Sequence, residues 1–180
     1  TTKGYASLLI KNIIEETYKE YGFLPMDNPI IELSEVLLAK AGGETEKQIY
    51  RFNKGDTDLS LRFDLTVPLA RYVAMNNANL VFPFKRYAIG KVYRGERPQK
   101  GRYRQFSQFG VECIGVKSPL LDAENIALGY SLVSALGISN IKIHINTLGD
   151  DESRAAYRSA LKEYFAPHVA DLCEDCKRRY

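Results

Sequence analysis

The chain is short of the residues that build covalent or metal frameworks. It holds three cysteines and two histidines among 180 residues. A small, odd cysteine count argues against a disulfide scaffold, and a reducing cytoplasm is the expected setting. Cys173 and Cys176 form a lone C-x-x-C around Glu174 and Asp175. With no second pair and few histidines, no metal site is expected. The strand-then-helix context of a thioredoxin-type motif is also missing, so the two thiols read as groups on a polar helix. Cys113 lies in an apolar strand pattern and reads as core. No apolar run approaches the roughly 18 residues of a membrane-spanning helix. Thr1-Thr2-Lys3-Gly4 leads into an amphipathic pattern, not the apolar stretch of a secretory leader. A net charge of +3 does not by itself argue for nucleic acid. There is no internal repeat, no low-complexity segment and no strict strand–helix alternation, which disfavours a doubly wound parallel sheet.

What remains is ordinary globular material, 45% hydrophobic and 26% charged, enough for one core and the start of a second domain. Residues 5–21 read as a helix with an apolar stripe of Tyr5, Leu8, Leu9, Ile13, Ile14 and Tyr18, stopped by Gly22. Pro25 and Pro29 keep the next segment extended. A short helix is expected over Glu32–Ala41, ended by Gly42-Gly43. Strands at Ile49–Phe52 and Leu59–Phe63 flank the turn Asn53-Lys54-Gly55-Asp56, which makes a hairpin. Thr66–Asn76 suits a helix with Thr66 as cap and Pro68 in its first turn. Further strands are expected at Phe84–Tyr93, Tyr103–Gly115 and Ile141–Ile145, the last placing His144 away from its isoleucines. Helices are expected from Ser118 to Gly137, over Ser153–Tyr164 and over Ala170–Tyr180. Adjacent hairpins with flanking helices point to an α+β fold built on an antiparallel sheet.

The most informative stretch runs from Tyr93 to Glu112. Lys91, Arg94, Arg97, Lys100, Arg102 and Arg104 are cationic, and only Glu96 opposes them. A glycine and a proline interrupt the run, and alternating apolar residues flank it. That reads as two strands joined by a mobile basic loop able to close on a polyanion, since arginine forks match phosphate and carboxylate oxygens.

The order Tyr-Arg-Gly-Glu-Arg-Pro-Gln, then Gly101-Arg102-Tyr103-Arg104-Gln105-Phe106-Ser107-Gln108 and Glu112, resembles motif 2 of the class II aminoacyl-tRNA synthetases in its histidyl-tRNA synthetase form. Tyr21-Gly22-Phe23 through Glu32 resembles motif 1, which implies a homodimer interface; an ordinary helix–turn–strand fits the same residues equally well. Arg62-Phe63-Asp64-Leu65-Thr66 resembles the amino-acid-binding segment, with Asp where many members carry the longer Glu. The resemblance implies a class II catalytic core over 1–148 and the start of a helical insertion domain over 149–180.

Family roles carried onto matching positions give Asp64, Thr66 and Gln108 as acceptors for the α-amino group of histidine. Glu112 would accept from the imidazole. A lone carboxylate on an apolar strand is costly without a partner; a salt bridge to a nearby arginine is the structural alternative. Arg94 would bridge the histidine carboxylate and the ATP α-phosphate, as the catalytic cation. Glu96 would face adenine or order the loop, Arg102 would reach the γ-phosphate, and Phe106 would stack on adenine or join the core. ATP, with Mg2+, histidine and tRNA(His) are the implied substrates. A second histidine motif, motif 3, an anticodon-binding domain and the Gly-x-x-Asp-x-x-Pro opening of the family are not found in these residues. The chain is therefore expected to activate histidine poorly by itself. A synthetase-like, histidine-sensing regulatory subunit of ATP phosphoribosyltransferase is the competing reading. A nucleic-acid-binding module is weaker, because its phosphate contacts would not require the fixed order of the loop.

Overall fold

The computed structural model describes residues 1–39, 43–147 and 149–180, which divide into two units, Thr1–Ile141 and Lys142–Tyr180. The first opens with α1 (Thr2–Glu20), followed by β1 (Leu24–Pro25), β2 (Ile31–Leu33), α2 (Ser34–Leu38), α3 (Glu44–Gln48), β3 (Arg51–Lys54) and β4 (Thr57–Leu61). Then come α4 (Thr66–Asn76), a 3-10 turn at Asn77–Asn79, the long strands β5 (Phe84–Tyr93) and β6 (Gln105–Ile114), and α5 (Pro119–Ala135). The second unit holds α6 (Asp151–Phe165), a 3-10 stretch at Ala166–Asp171 and α7 (Glu174–Arg179).

Two three-stranded sheets carry the α+β fold, in the orders β1-β5-β6 and β2-β4-β3. All strand pairs are antiparallel except β1 with β5. The β5–β6 hairpin is paired without a bulge from Phe84↔Ile114 to Tyr93↔Gln105. Direct partners in an antiparallel pair share a face, and successive residues alternate faces. One face therefore carries Tyr87, Ile89, Val111 and Cys113. It packs with Ile14, Tyr18 and Phe23 and with Leu128 and Leu132 of α5 to form the main core. The opposite face carries Arg86, Ala88, Gly90 and Val92 against Glu112, Gly110, Gln108 and Phe106. There Leu65 joins Ala88 and Val92 in a second, smaller core, with Phe106 packed against it.

Several expected elements move. In α1, Ile14 and Tyr18 are buried as expected, but Tyr5, Leu8 and Leu9 are exposed, because α5 and the sheet offer partners only to the later turns. Glu32 is in a strand, not a helix, since Ile31–Leu33 find a partner in Leu59–Leu61. The expected end of that helix at Ala41 and Gly42 lies outside the described residues. Both strands of the first hairpin move two residues toward the turn: Asn53 and Lys54 pair with Asp58 and Thr57, so the turn contracts to Gly55-Asp56. The strand expected at Ile141–Ile145 does not form. Alternation alone does not make a strand without a partner ladder, and Ile143, His144 and Ile145 are all exposed. Near the end, the helix expected over Ala170–Tyr180 shortens to Glu174–Arg179, and Ala166–Asp171 forms a 3-10 stretch around Pro167, which lacks a helical donor.

Candidate functional site

The site is built on the second face of the hairpin. Ala88, Gly90 and Gly110 leave that face low in its middle, and larger residues surround them. Leu65, Thr66 and Leu69, at the start of α4, close one side of a recess whose floor includes Arg86, Ala88, Gln108, Gly110 and Glu112. Thr66 and Glu112 meet directly: the threonine hydroxyl donates to Glu112 Oε1 at 3.1 Å. The salt bridge considered from sequence does not form. Arg86 stands opposite Glu112 in register, but its guanidinium turns to the Lys85 carbonyl at 2.9 Å and lies over the Phe84 ring. Glu112 is half-buried and has no ion-pair partner among the described residues. Gln108 Oε1 is buried with no hydrogen-bond partner among them either. Buried acceptors of this kind are normally satisfied, so a ligand bearing N–H groups suits the recess.

Thr66 does not cap α4. Asp64 Oδ1 accepts from Val67 N–H at 3.0 Å instead, which leaves the threonine hydroxyl free for Glu112. Asp64 lines a separate, apolar cavity with Leu37, Val67 and Ala70. The structure thus brings Thr66, Gln108 and Glu112 to one recess and holds Asp64 in a capping contact beside it.

Arg94 follows the last residue of β5. Its guanidinium carbon lies 4.4 Å from the centre of the Phe63 ring and 5.1 Å from that of Phe106. Its Nε donates to the Phe63 carbonyl at 3.2 Å, the only hydrogen bond of this side chain among the described residues. Two aromatic rings and one carbonyl thus fix the cation while leaving most of its donors for a ligand.

The basic loop folds on itself. Arg94 N–H donates to the Arg104 carbonyl at 2.9 Å, and Gln99 and Arg102 exchange backbone bonds at 3.3 and 2.9 Å. Arg102 pairs with Glu96 at 3.6 Å, and Arg104 Nε reaches the Glu96 carbonyl at 3.4 Å. Arg97, Lys100, Arg102 and Arg104 remain exposed, so the tip presents a positive surface to solvent.

Three residues were not assigned a role from sequence: Arg62, Gly90 and Asn28. Arg62 is 4% exposed and Asn28 is 6% exposed, and a Cβ on Gly90 would fall 2.3 Å from Arg62 Nη2. Gly90 left a signal in the sequence, as a glycine inside a strand pattern, which marks a close approach, and Arg62 stood in the Arg62–Thr66 motif without a role of its own.

An antiparallel hairpin with a cationic tip, backed by two helices and bearing a polar recess on its free face, defines the catalytic fold of the class II aminoacyl-tRNA synthetases. Comparison with known proteins narrows this. The family model described as histidyl-tRNA synthetase matches residues 7–149. A histidine–tRNA ligase of Clostridium tetani is 57% identical over 139 residues, covering 76% of this chain and 32% of that protein. One from Thermosipho africanus is 43% identical over 176 residues, covering 95% and 42%. Among solved structures, apo histidyl-tRNA synthetase of S. aureus superposes with a TM-score of 0.72 at 31% identity, over 97% of this chain and 42% of that one. An ATP phosphoribosyltransferase regulatory subunit/histidyl-tRNA synthetase of Bacillus halodurans gives 0.74 at 25% identity, over 96% and 48%. The chain belongs to the histidyl-tRNA synthetase family and spans less than half the length of these relatives.

Proposed function

We propose that the protein carrying this chain is a cytoplasmic histidine–tRNA ligase. It would activate histidine with ATP and then pass it to tRNA(His). The carrying observation is the shared face on which Thr66, Gln108 and Glu112 converge, with Arg94 held at its end. In this reading Thr66 and Gln108 take the α-amino group, Asp64 adds negative charge beside them, and Glu112 accepts from the imidazole. The histidine carboxylate attacks the α-phosphorus of ATP, an acyl phosphate bond forms, and pyrophosphate leaves. Two anions meet in that step, so a cation fixed between them lowers the barrier. Arg94 supplies it, and positioning provides the rest. Glu96 and Phe106 would flank the adenine and Arg102 would reach the terminal phosphate, exchanging Glu96 for it. ATP would arrive as its Mg2+ complex.

Residues 149–180 fit the opening of an insertion domain. The exposed Leu24, Ile30, Ile31 and Leu33 suit a homodimer contact through the segment around Pro29. Among the described residues no helix is long and apolar enough to cross a membrane.

The Bacillus halodurans neighbour supports a second reading, a histidine-sensing regulatory subunit. Arg94, Glu96, Arg102 and Phe106 standing together favour the ligase, because a sensor does not need ATP-binding residues. Histidine-dependent ATP–pyrophosphate exchange tests the choice, with Arg94→Ala as control. Exchange lost in the control supports the ligase; histidine binding without exchange in the full protein supports the sensor.

A further inference from the structure

We infer that Arg62 is a positioning residue that holds Arg94 and the Asp64–Thr66 segment in register; the inference deepens the ligase reading and rests on it for its kinetic consequences. Arg62 follows β4 and is 4% exposed. A buried guanidinium is costly unless its charge is met, yet no carboxylate pairs with it among the described residues. Its partners are carbonyls on two other segments. Nε donates to the Lys91 carbonyl at 2.7 Å, and Nη1 donates to the Asn28 carbonyl at 2.5 Å. Its own backbone completes the junction: its N–H donates to the Ile30 carbonyl at 2.8 Å, and its carbonyl accepts from Tyr93 N–H at 3.1 Å. One residue thus ties the 28–30 segment, the end of β4 and the end of β5.

Two of the groups that place Arg94 hang from this junction. Tyr93, its backbone predecessor, is bonded to the Arg62 carbonyl. Phe63, which supplies both the ring and the carbonyl under the Arg94 guanidinium, is the next residue after Arg62. Asn28 extends the tie to the histidine side, donating from Nδ2 to the Leu65 carbonyl at 3.4 Å, between Asp64 and Thr66. Gly90 is the matching concession in β5. It lies opposite Gln108, and any side chain there would meet Arg62 Nη2. Lysine cannot reproduce the arrangement, because one ammonium lacks the planar fork that serves two divergent carbonyls.

The test uses the full-length protein, with Arg62→Lys and Gly90→Ala as two independent disturbances. Leu132→Ala, in the core on the opposite face, serves as a stability-matched control. Two quantities are read: exchange kinetics, and the 15N NMR signal of the Arg94 Nε–H, assigned by its loss in Arg94→Ala. Both disturbances are expected to lower kcat about 10- to 100-fold, with KM for ATP within about 3-fold. The Arg94 Nε–H should move toward the position of a free arginine and exchange faster with solvent. The control should lower Tm and leave both readouts in place. Should Arg62→Lys fail to fold, Gly90→Ala carries the test by pushing an intact Arg62 aside. Variants that lose Tm but keep kcat and the Arg94 signal would overturn the inference. If the unmodified protein shows no exchange, the ligase reading fails separately, and the Arg94 signal still decides whether Arg62 positions it.

Discussion

Arg94 is held twice by one residue: its guanidinium lies over the ring of Phe63, and its Nε donates to the carbonyl of the same Phe63. The two contacts respond differently to substitution. Phe63→Leu removes the ring and keeps the carbonyl. A cation–π contact at a partly exposed site contributes about 0.5–1 kcal/mol, so the exchange rate should fall about 2- to 5-fold. Arg94→Ala removes the charge itself and should cost about 100-fold or more. Equal losses in the two variants would show that the ring, not the charge, matters.

The Thr66–Glu112 contact should govern histidine binding. Glu112→Gln keeps the shape and removes the charge, and a hydrogen bond to a charged group is worth about 1.5–3 kcal/mol. The expected result is a histidine KM raised roughly 10- to 100-fold with the ATP KM unchanged. A shift in the ATP KM instead would move Glu112 to the nucleotide side.

Glu32 is buried and pairs with Arg71 at 2.7 Å, with the Glu32 side chain only 3% exposed and that of Arg71 35% exposed. Leaving one partner alone strands a charge. Arg71→Ala should destabilise by about 3 kcal/mol, less if water reaches the carboxylate. The double variant Glu32→Leu with Arg71→Met should recover most of that loss in urea unfolding. Additive losses would show that packing, not charge, is at stake.

Gly115 ends the hairpin with φ +94°, and a Cβ there would lie 2.2 Å from the Phe82 ring. Gly115→Ala therefore meets both backbone strain and overlap, together about 2–4 kcal/mol. Thermal unfolding should show a drop of many degrees. A neutral result would mean that the Phe82 side chain moves aside freely.

Tyr18 gives the molecule an alkaline limit. Burial pushes its hydroxyl up to about 12 from an ordinary value of 10.0. The folded state then keeps a proton that the unfolded chain releases, so stability is full below pH 10 and falls from there toward pH 12. Tyr18→Phe should flatten that slope in denaturant titrations between those values. An unchanged slope would assign the alkaline loss to other groups.

Much of this was legible in the chain. The β5–β6 hairpin and α5 stand almost where alternation and Ser118-Pro119 put them, because long periodic segments with clear stops leave few alternatives. The motif from Tyr93 to Glu112 marked the face of the site. The part Arg62 plays was not legible, since its partners are backbone carbonyls on distant segments and carbonyls have no sequence identity. The exchange of roles between Asp64 and Thr66 was hidden for a similar reason: either can cap a helix, and only the neighbouring Glu112 decides which hydroxyl is diverted. The 141–145 segment misled because alternation records a preference for a partner without supplying one.

The unbroken pairing of Phe84–Tyr93 with Gln105–Ile114 also restricts how this gene can drift. Along the hairpin the side chains alternate strictly between the face of the main core and the face that carries the smaller core and the recess. Inserting or deleting a single codon flips the residues on one side of the change: within β6 it would turn Gln108 or Glu112 toward the main core, and within β5 it would turn Tyr87 out of it. Length variation is therefore confined to the loop from residue 94 to 104, while the strands can change in kind but not in number.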